Sequence, residues 1–287
     1  NRDNLPPEYI PKAEAFYGGK DSLKAKLYLK GEWGTLEGAV INWNETLVNP
    51  VDVWPPAGWS TIIGMDHGEG NSATAFGFIA LEELGYGRTR LHVYDEVYLM
   101  DTDISTAVSH VDEALQFHAH KRFTETEKIG FTNLRVVPKR WICDPSMARP
   151  LIKTEPVNKE VTIGNMYTIR AWERGFQLAP VGGNNNIMLG IDKLNWLIMN
   201  GLLTFNPRCV NIISDLKGLV YDKVTLKPKI HQRDHGFDLT RYAVLGVQDV
   251  YNMPTVKRGE TLLERIHRKR NSFNNNNGRF VSTARYI

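Results

Sequence analysis

The sequence predicts a mixed α/β protein: three antiparallel strands, then parallel strands, in one sheet with helices on its faces. Three observations carry this. Residues 60–99 hold three apolar or alternating runs separated by short glycine-containing turns, the pattern of an antiparallel meander. From residue 103 onward, runs of helical period alternate with short apolar runs, so the later strands enter the sheet through helices. The composition, 42% apolar and 23% charged over 287 residues, is that of an ordinary globular chain.

The elements follow in order. "WPPAG" (54–58) is the clearest break, because a proline pair and a glycine interrupt both helices and strands. "STIIGMD" (60–66) reads as a buried strand that ends in an acid. "HGEGNS" turns the chain, "ATAFGFIAL" (73–81) is a second strand, "LGYGR" (84–88) turns it again, and "TRLHVYDEVYL" (89–99) is a third. Ile104, Val108, Val111 and Leu115 fall at helical spacing behind Asp103, a suitable N-cap. "RWICD" (140–144) is a short strand that also ends in an acid, and Pro145 behind it suits the first turn of a helix. "GFQLAP" (175–180) is a fifth strand, "IMLGIDKLNWLIMNG" (187–201) a helix closed by Gly201, and "VNIISDLKGL" a further helix. The last helix is expected from Asp234 to about Tyr251.

No run approaches eighteen apolar residues, so no transmembrane helix is expected. The beginning, "NRDNLPPEYI", lacks the basic-then-apolar pattern of a secretion signal and does not start with Met, as a piece of a longer protein would not. Cys143 and Cys209 share no metal-binding or disulfide spacing and are expected to be small buried side chains in a reducing compartment. The formal net charge of +3 is unevenly spread: residues 257–287 hold eight Lys or Arg against Glu260 and Glu264, which leaves residues 1–256 at −3. A basic tail on an acidic body suits a polyanionic partner, or is simply a solvated tail, and "NNNN" (274–277) favours disorder there.

The acids carry the chemistry. Asp66 ends the first strand and Asp144 the fourth, so the two stand side by side if those strands are neighbours. Asp234, His235 and Asp238 open the last helix, where residues three apart share a face. Each alone has a plainer explanation: Asp234 would serve as a helix N-cap, Asp66 as a turn former. Together they repel, and desolvating them is costly unless a cation intervenes. Oxygen-rich clusters suit Mg²⁺ or Mn²⁺, and a pair of such ions can clamp the oxygens of a phosphodiester. Asp95 and Glu96 lie mid-strand on opposite faces, and one of them is expected on the functional side. His67 is expected to be a surface turn residue.

These residues resemble a known family. "GMDHGEGNSATAFGFIAL" (64–81) is similar to the first strand pair of ribonuclease-H-like nucleases, and "WICDPSMARPLI" (141–152) and "RDHGFDLTRYAV" (233–244) to later motifs of one branch, the nuclease domain of tailed-bacteriophage large terminases. Residues 60 to 252 fit in order, and "YIPKAEAFYGG…GTLEGAVI" (9–41) resembles the segment joining the terminase motor to its nuclease. The resemblance implies a ribonuclease-H-like fold and division into a leader from an ATPase motor (1–57), a nuclease domain (58–256) and a basic tail (257–287).

It also implies a metal-dependent endonuclease that cuts concatemeric double-stranded DNA at the start and end of packaging. Two divalent cations, Mg²⁺ or Mn²⁺, are implied on Asp66, Asp144, Asp234, His235 and Asp238, with Asp66 bridging and Asp66, Asp144 and Asp238 catalytic. Portal protein and small terminase subunit are implied partners, with no membrane. The implied location is the cytoplasm of the infected bacterium, neither secreted nor in the mature virion. His235 stands where many members have Asp. No G-x-x-x-x-G-K-[ST] phosphate loop occurs, so the ATPase is expected to lie outside this chain. Three rivals remain at this point: a resolvase- or transposase-like nuclease of the same fold, an actin-like nucleotide binder, and a packaging module that binds DNA or portal without cutting.

Overall fold

The first apolar run is β1 (Ser60–Asp66), the buried inner strand of a sheet in the computed structural model, which describes residues 8–16, 29, 38–124, 134–148, 162–222, 228 and 233–247. It pairs antiparallel with β2 (Thr74–Gly85), which pairs antiparallel with β3 (Arg88–Leu99). Gly85, Tyr86 and Gly87 link the last two with φ of 80°, 52° and 71°, the left-handed backbone that tight hairpins require. On its other side β1 pairs parallel with β4 (Arg140–Cys143), and β4 with β5 (Pro180–Gly182). A sixth strand, β6 (Leu203–Phe205), pairs parallel with β3, giving the order β5-β4-β1-β2-β3-β6. The expected sheet, antiparallel then parallel, is therefore present, and β1 and β4 are neighbours.

A short helix, α1 (Tyr9–Phe16), precedes the sheet in the chain. One face of the sheet is covered by α2 (Ile104–Arg122) and α3 (Ile163–Glu173). Asp103 caps α2 by accepting from the Thr106 N–H at 3.0 Å, and Val108, Val111 and Leu115 are wholly buried against Ile63, Met65, Phe76 and Phe78. The other face takes α4 (Ile187–Met199), α5 (Val210–Gly218) and α6 (His235–Gly246), with α6 directly on β1 and β2. A Cβ on Gly64 would stand 2.5 Å from the Leu239 carbonyl oxygen, and one on Gly77 2.6 Å from Leu239 Cδ1. The two glycines face each other across β1 and β2, so they form a trough in which α6 lies.

The structure departs from the sequence reading in four places. The fifth strand is not 175–180 but begins at Pro180. Gly175 (φ 80°) and Phe176 instead close α3, with the Phe176 N–H on the Ala171 carbonyl at 3.1 Å and the Gly175 N–H on that of Trp172 at 2.9 Å, which plugs Phe176 into the core. Helix α3 and the three-residue β6 go beyond the expected elements; one is rich in β-branched and aromatic residues, the other too short to show a period. Pro145 starts a 3₁₀ turn (Pro145–Ala148), and residues 149–161 lie outside those described. Helix α6 ends at Gly246; residues 248–251 and the basic tail also lie outside. Gly201 closes α4 in the left-handed region, φ 63°, as the sequence indicates.

Residues 38–59 form a strap along the β6 side. Ala39 bridges to Val220 and Val48 to Phe205, and Val40, Ile41 and Leu47 are buried. The Asn206 amide accepts from Asn49 Nδ2 and the Val53 N–H and donates to the carbonyls of Val53 and Tyr94. Arg122 donates to the carbonyls of Pro55, Pro56, Ala57 and Trp59. The strap thus covers an edge strand that would otherwise offer unpaired backbone groups.

Gly64→Ala is expected to destabilise the fold by about 1–3 kcal/mol through overpacking against α6, read as a melting temperature lower by several degrees. Gly58→Ala, where an added Cβ meets nothing within 4 Å, should melt like the parent; equal melting of the two variants would contradict a close α6–sheet contact.

Candidate active site

Alternation along β1 sends Ile63 and Met65 to the α2 face and Gly64 and Asp66 to the α6 face. Asp66 is 8% exposed, and its Oδ2 lies 2.6 Å from Nδ1 of His235 at the start of α6. His235 Nε2 lies 3.0 Å from Ser72 Oγ in the β1–β2 turn, so the ring is held from both nitrogens. Burial raises the Asp66 pKa; His235 opposes this, while Asp144 and Asp234 add to it by charge repulsion. The His235 pKa is raised too, first by its hydrogen bond to Asp66.

Asp144 follows β4, and its Oδ1 accepts the Ser146 N–H at 2.6 Å. The β1–β4 register, Gly64 opposite Ile142, carried on two residues, sets it level with Asp66. Asp234 occupies the N-cap position of α6, yet its side chain makes no capping bond; only its backbone carbonyl takes the Asp238 N–H, at 2.8 Å. Asp238 lies one turn inside. Its Oδ1 accepts from Arg241 Nε at 2.9 Å and Nη2 at 2.7 Å, and Arg241 is buried with its guanidinium 4.3 Å from the Tyr242 ring centre. Burial pushes the Asp238 pKa up to about 6, Arg241 pulling it down and the charges of Asp66 and Asp234 pushing it further up.

The five residues singled out from the sequence thus share one electrostatic neighbourhood at the C-terminal ends of β1 and β4. Among the described residues, no three His, Cys, Asp or Glu side chains stand close enough together to hold a metal ion as the chain is arranged. His235 occupies Asp66 Oδ2, and Arg241 occupies Asp238 Oδ1. The donor chemistry nevertheless fits a hard divalent cation: four carboxylates, one of them deeply buried and repelled by its neighbours, and a single imidazole. In that arrangement Arg241, and His235 with its raised pKa, supply the positive charge that the carboxylates require.

Ser72, His235 and Asp66 have the spacing of a serine–histidine–aspartate relay. The Ser72 N–H, the usual first oxyanion donor, is already bound to the Glu69 carbonyl at 3.2 Å, so the contact reads as a support for His235.

Other residues resolve differently. Glu96 is on the α6 side, but its carboxylate binds the Asn211 and Ile212 N–H groups, both at 2.8 Å, at the start of α5. Asp95 faces α2 and binds the buried His118 at 2.7 Å and Arg208 at 3.2 Å. His67 is not a surface turn residue: it is half-buried, its Nδ1 3.1 Å from the Tyr167 hydroxyl, because α3 closes over the turn. Both cysteines are buried, and burial raises the Cys143 thiol to about 12. Sequence reading missed Ser72, Arg241 and Asp215. Asp215 is buried on α5 and accepts the Gly236 N–H at 2.8 Å, tying α5 to the start of α6. Its signal was an acid on the apolar stripe of "VNIISDLKGL".

No family model matches the sequence, and no curated protein does. Solved structures do. The large terminase from a thermophilic bacteriophage matches with TM-score 0.57 at 15% identity, over 85% of this chain and 53% of that one. The same terminase in complex with ADP gives 0.56, 16%, 84% and 52%. The P22 large terminase nuclease domain gives TM-score 0.52 at 13% identity, over 75% of this chain and 95% of that one. The chain therefore spans about half the length of the full terminase and nearly all of the nuclease domain. At such identities the likeness shows the fold, and the fold is that of a large-terminase nuclease domain.

Without metal, Asp238 and His235 each contribute stability that falls as pH rises. Asp238 keeps its proton in the folded state up to about 6 against an ordinary 3.8, so its contribution is lost between those values. The raised His235 contributes fully below its ordinary 6.5, and that contribution is lost as pH climbs through its higher folded value. Burial lowers the pKa of His67, His92 and His118, which add stability as pH rises, so the test is the difference from variants. In denaturant melts in EDTA at pH 4, 6 and 8, the stability lost on Asp238→Asn or His235→Asn should shrink as pH rises, and a loss that grows with pH would contradict the assignment.

Proposed function

We propose that this chain, folded as a large-terminase nuclease domain, is a divalent-metal-dependent endonuclease that cuts double-stranded DNA. One observation supports this most: Asp66 and Asp144 at the C-terminal ends of two adjacent central strands, and Asp234 and Asp238 at the start of α6, lie within reach of one another's charge, where nothing in the packing of the core calls for them. Stability alone would favour apolar residues there, since buried like charges oppose folding.

Asp66, Asp144, Asp234, His235 and Asp238 would hold the ions. Two bound Mg²⁺ or Mn²⁺ would polarise the phosphodiester and neutralise charge developing on its oxygens. The chain's own part is positioning. Gly64 and Gly77 let α6 bring His235 and Asp238 down to the sheet. Arg241 fixes the Asp238 carboxylate from its buried side, and Ser72 fixes the His235 ring. His235 must give up its proton to serve as a ligand, so metal binding and proton release are coupled.

In its biological setting the reading extends to cutting concatemeric viral DNA at the start and end of packaging, in the cytoplasm of an infected bacterium. Portal protein and a small terminase subunit would be its partners, and the positive charge of segment 257–287 suits a polyanion. No helix among the described residues is long and apolar enough to cross a membrane. A resolvase-like activity is the rival of the same fold; preference for a four-way junction over linear duplex would favour it.

The chain should nick and cut plasmid DNA with Mn²⁺ or Mg²⁺ and without ATP, and EDTA should stop it. Asp66→Asn and Asp144→Asn should each lower the rate by orders of magnitude. Undiminished cutting in EDTA would sink the proposal. Asp238→Asn keeps an oxygen for Arg241, so it should melt within a few degrees of the parent while losing most of its cleavage; full cleavage would remove α6 from the site. Independently of activity, Mn²⁺ should raise the melting temperature more at pH 8 than at pH 5, since protons compete for the same donors, and Asp66→Asn should abolish that rise.

A further inference from the structure

An open cleft of about 720 Å³ adjoins the acid cluster, lined by Ser72, Tyr98, Met100, Asn211, Arg233 and His235. Its volume is within the roughly 300–1,000 Å³ of ligand-binding clefts. None of the carboxylates assigned above lines it, although Glu69 does. Its one guanidinium is held from several sides. Arg233 Nε lies 2.8 Å from Asp215 Oδ1 and donates to the Tyr98 hydroxyl at 3.2 Å; Nη2 donates to Asn211 Oδ1, and the group lies 4.8 Å from the Tyr98 ring centre. Asp215 is itself fully buried and fixed by the Gly236 N–H at 2.8 Å and the Tyr98 hydroxyl at 3.3 Å.

A buried anion that only needed a counter-ion would draw the arginine inward. Instead the Arg233 side chain remains 52% exposed and is part of the cleft's lining. Such an arginine has already lost most of the side-chain freedom that anion binding would otherwise cost. Its planar fork matches a phosphate, and Tyr98 with the exposed Met100 offers an apolar wall for a sugar or base. The cleft opens directly onto His235, so a strand lying across the acids continues into it.

We propose that this cleft seats the nucleic-acid strand beside the cleaved bond, with Arg233 as a positioning residue that grips a backbone phosphate there and Asp215 and Tyr98 holding Arg233 in place. The nature of the ligand rests on the nuclease reading.

The test is DNA binding by the full chain in EDTA, so that cleavage is not needed, with a short duplex titrated across salt concentrations. Arg233→Gln should weaken binding about tenfold, the equivalent of about 1.4 kcal/mol, and reduce the salt slope by about 0.9, one phosphate contact. Arg233→Lys keeps the charge and loses the fork; it should keep the slope and lose affinity several-fold, and it serves if the glutamine variant fails to fold. Unchanged affinity and slope in either variant, with only a lower melting temperature, would overturn the proposal and leave Arg233 as the counter-ion of Asp215. No measurable binding by the parent chain would overturn it too. If binding changes as expected but no metal supports cutting, the nuclease reading fails and Arg233 stands as a phosphate contact of a nucleic-acid-binding cleft, without a cleaved bond beside it. If the parent cuts and both variants bind like it, the reverse holds.

Discussion

The approach of α6 to the sheet is the constraint on which the site depends. Two glycines facing each other on β1 and β2 remove the side chains that would hold a helix at the usual distance, and the Leu239 backbone settles into the space. At the far end the fit is as close: a Cβ on Gly246 would stand 2.6 Å from Ile142 Cδ1. Seated along its whole length, α6 has little freedom to slide or roll. His235 and Asp238 then fall where two neighbouring strands already place acids. The sheet contributes Asp66 and Asp144 by topology, and α6 contributes the rest by contact.

The electrostatics follow from that seating. Close packing dries the carboxylates, and drying raises the pKa of Asp66, Asp234 and Asp238 together. His235 and Arg241 offset this cost, but they are unequal partners. Arg241 cannot release its proton, so its grip on Asp238 is permanent. His235 can, so its contact with Asp66 is conditional. The chain thus has one fixed and one exchangeable cation in the same cluster.

Much of this is legible in the sequence. The strand ends at Asp66 and Asp144 show because a buried apolar run stops abruptly at an acid, and "RDHGFDLTRYAV" shows because charged residues stand against a helix with almost no polar face. Strand pairing is the step that periodicity cannot supply. That β1 and β4 are neighbours depends on long-range packing, and only the resemblance suggests it. Phe176 reads as strand because its apolar neighbours look alike in a strand and in a capped helix end. Ser72 and Arg233 stay hidden for another reason: a serine in a turn and an arginine before a helix are common on any surface. What distinguishes them is what they touch, His235 in one case and the buried Asp215 in the other. Glu96 is the opposite case, conspicuous in the sequence and occupied in the fold with capping α5.

The strap has a mechanical consequence. A pull on the chain entering at Gly38 does not arrive at β1 first. It loads the bridge to Val220, then the bridge at Phe205, the four side-chain bonds of Asn206 and the four carbonyls clasped by Arg122. Of these attachments, the Phe205 bridge and the Asn206 bonds bear on β6, the edge farthest along the sheet from β4 and β5, the Val220 bridge bears on the segment after α5, and the Arg122 clasp bears on α2. A load on the strap is therefore shared among β6, α2 and the segment after α5 before it reaches the strand that carries Asp66.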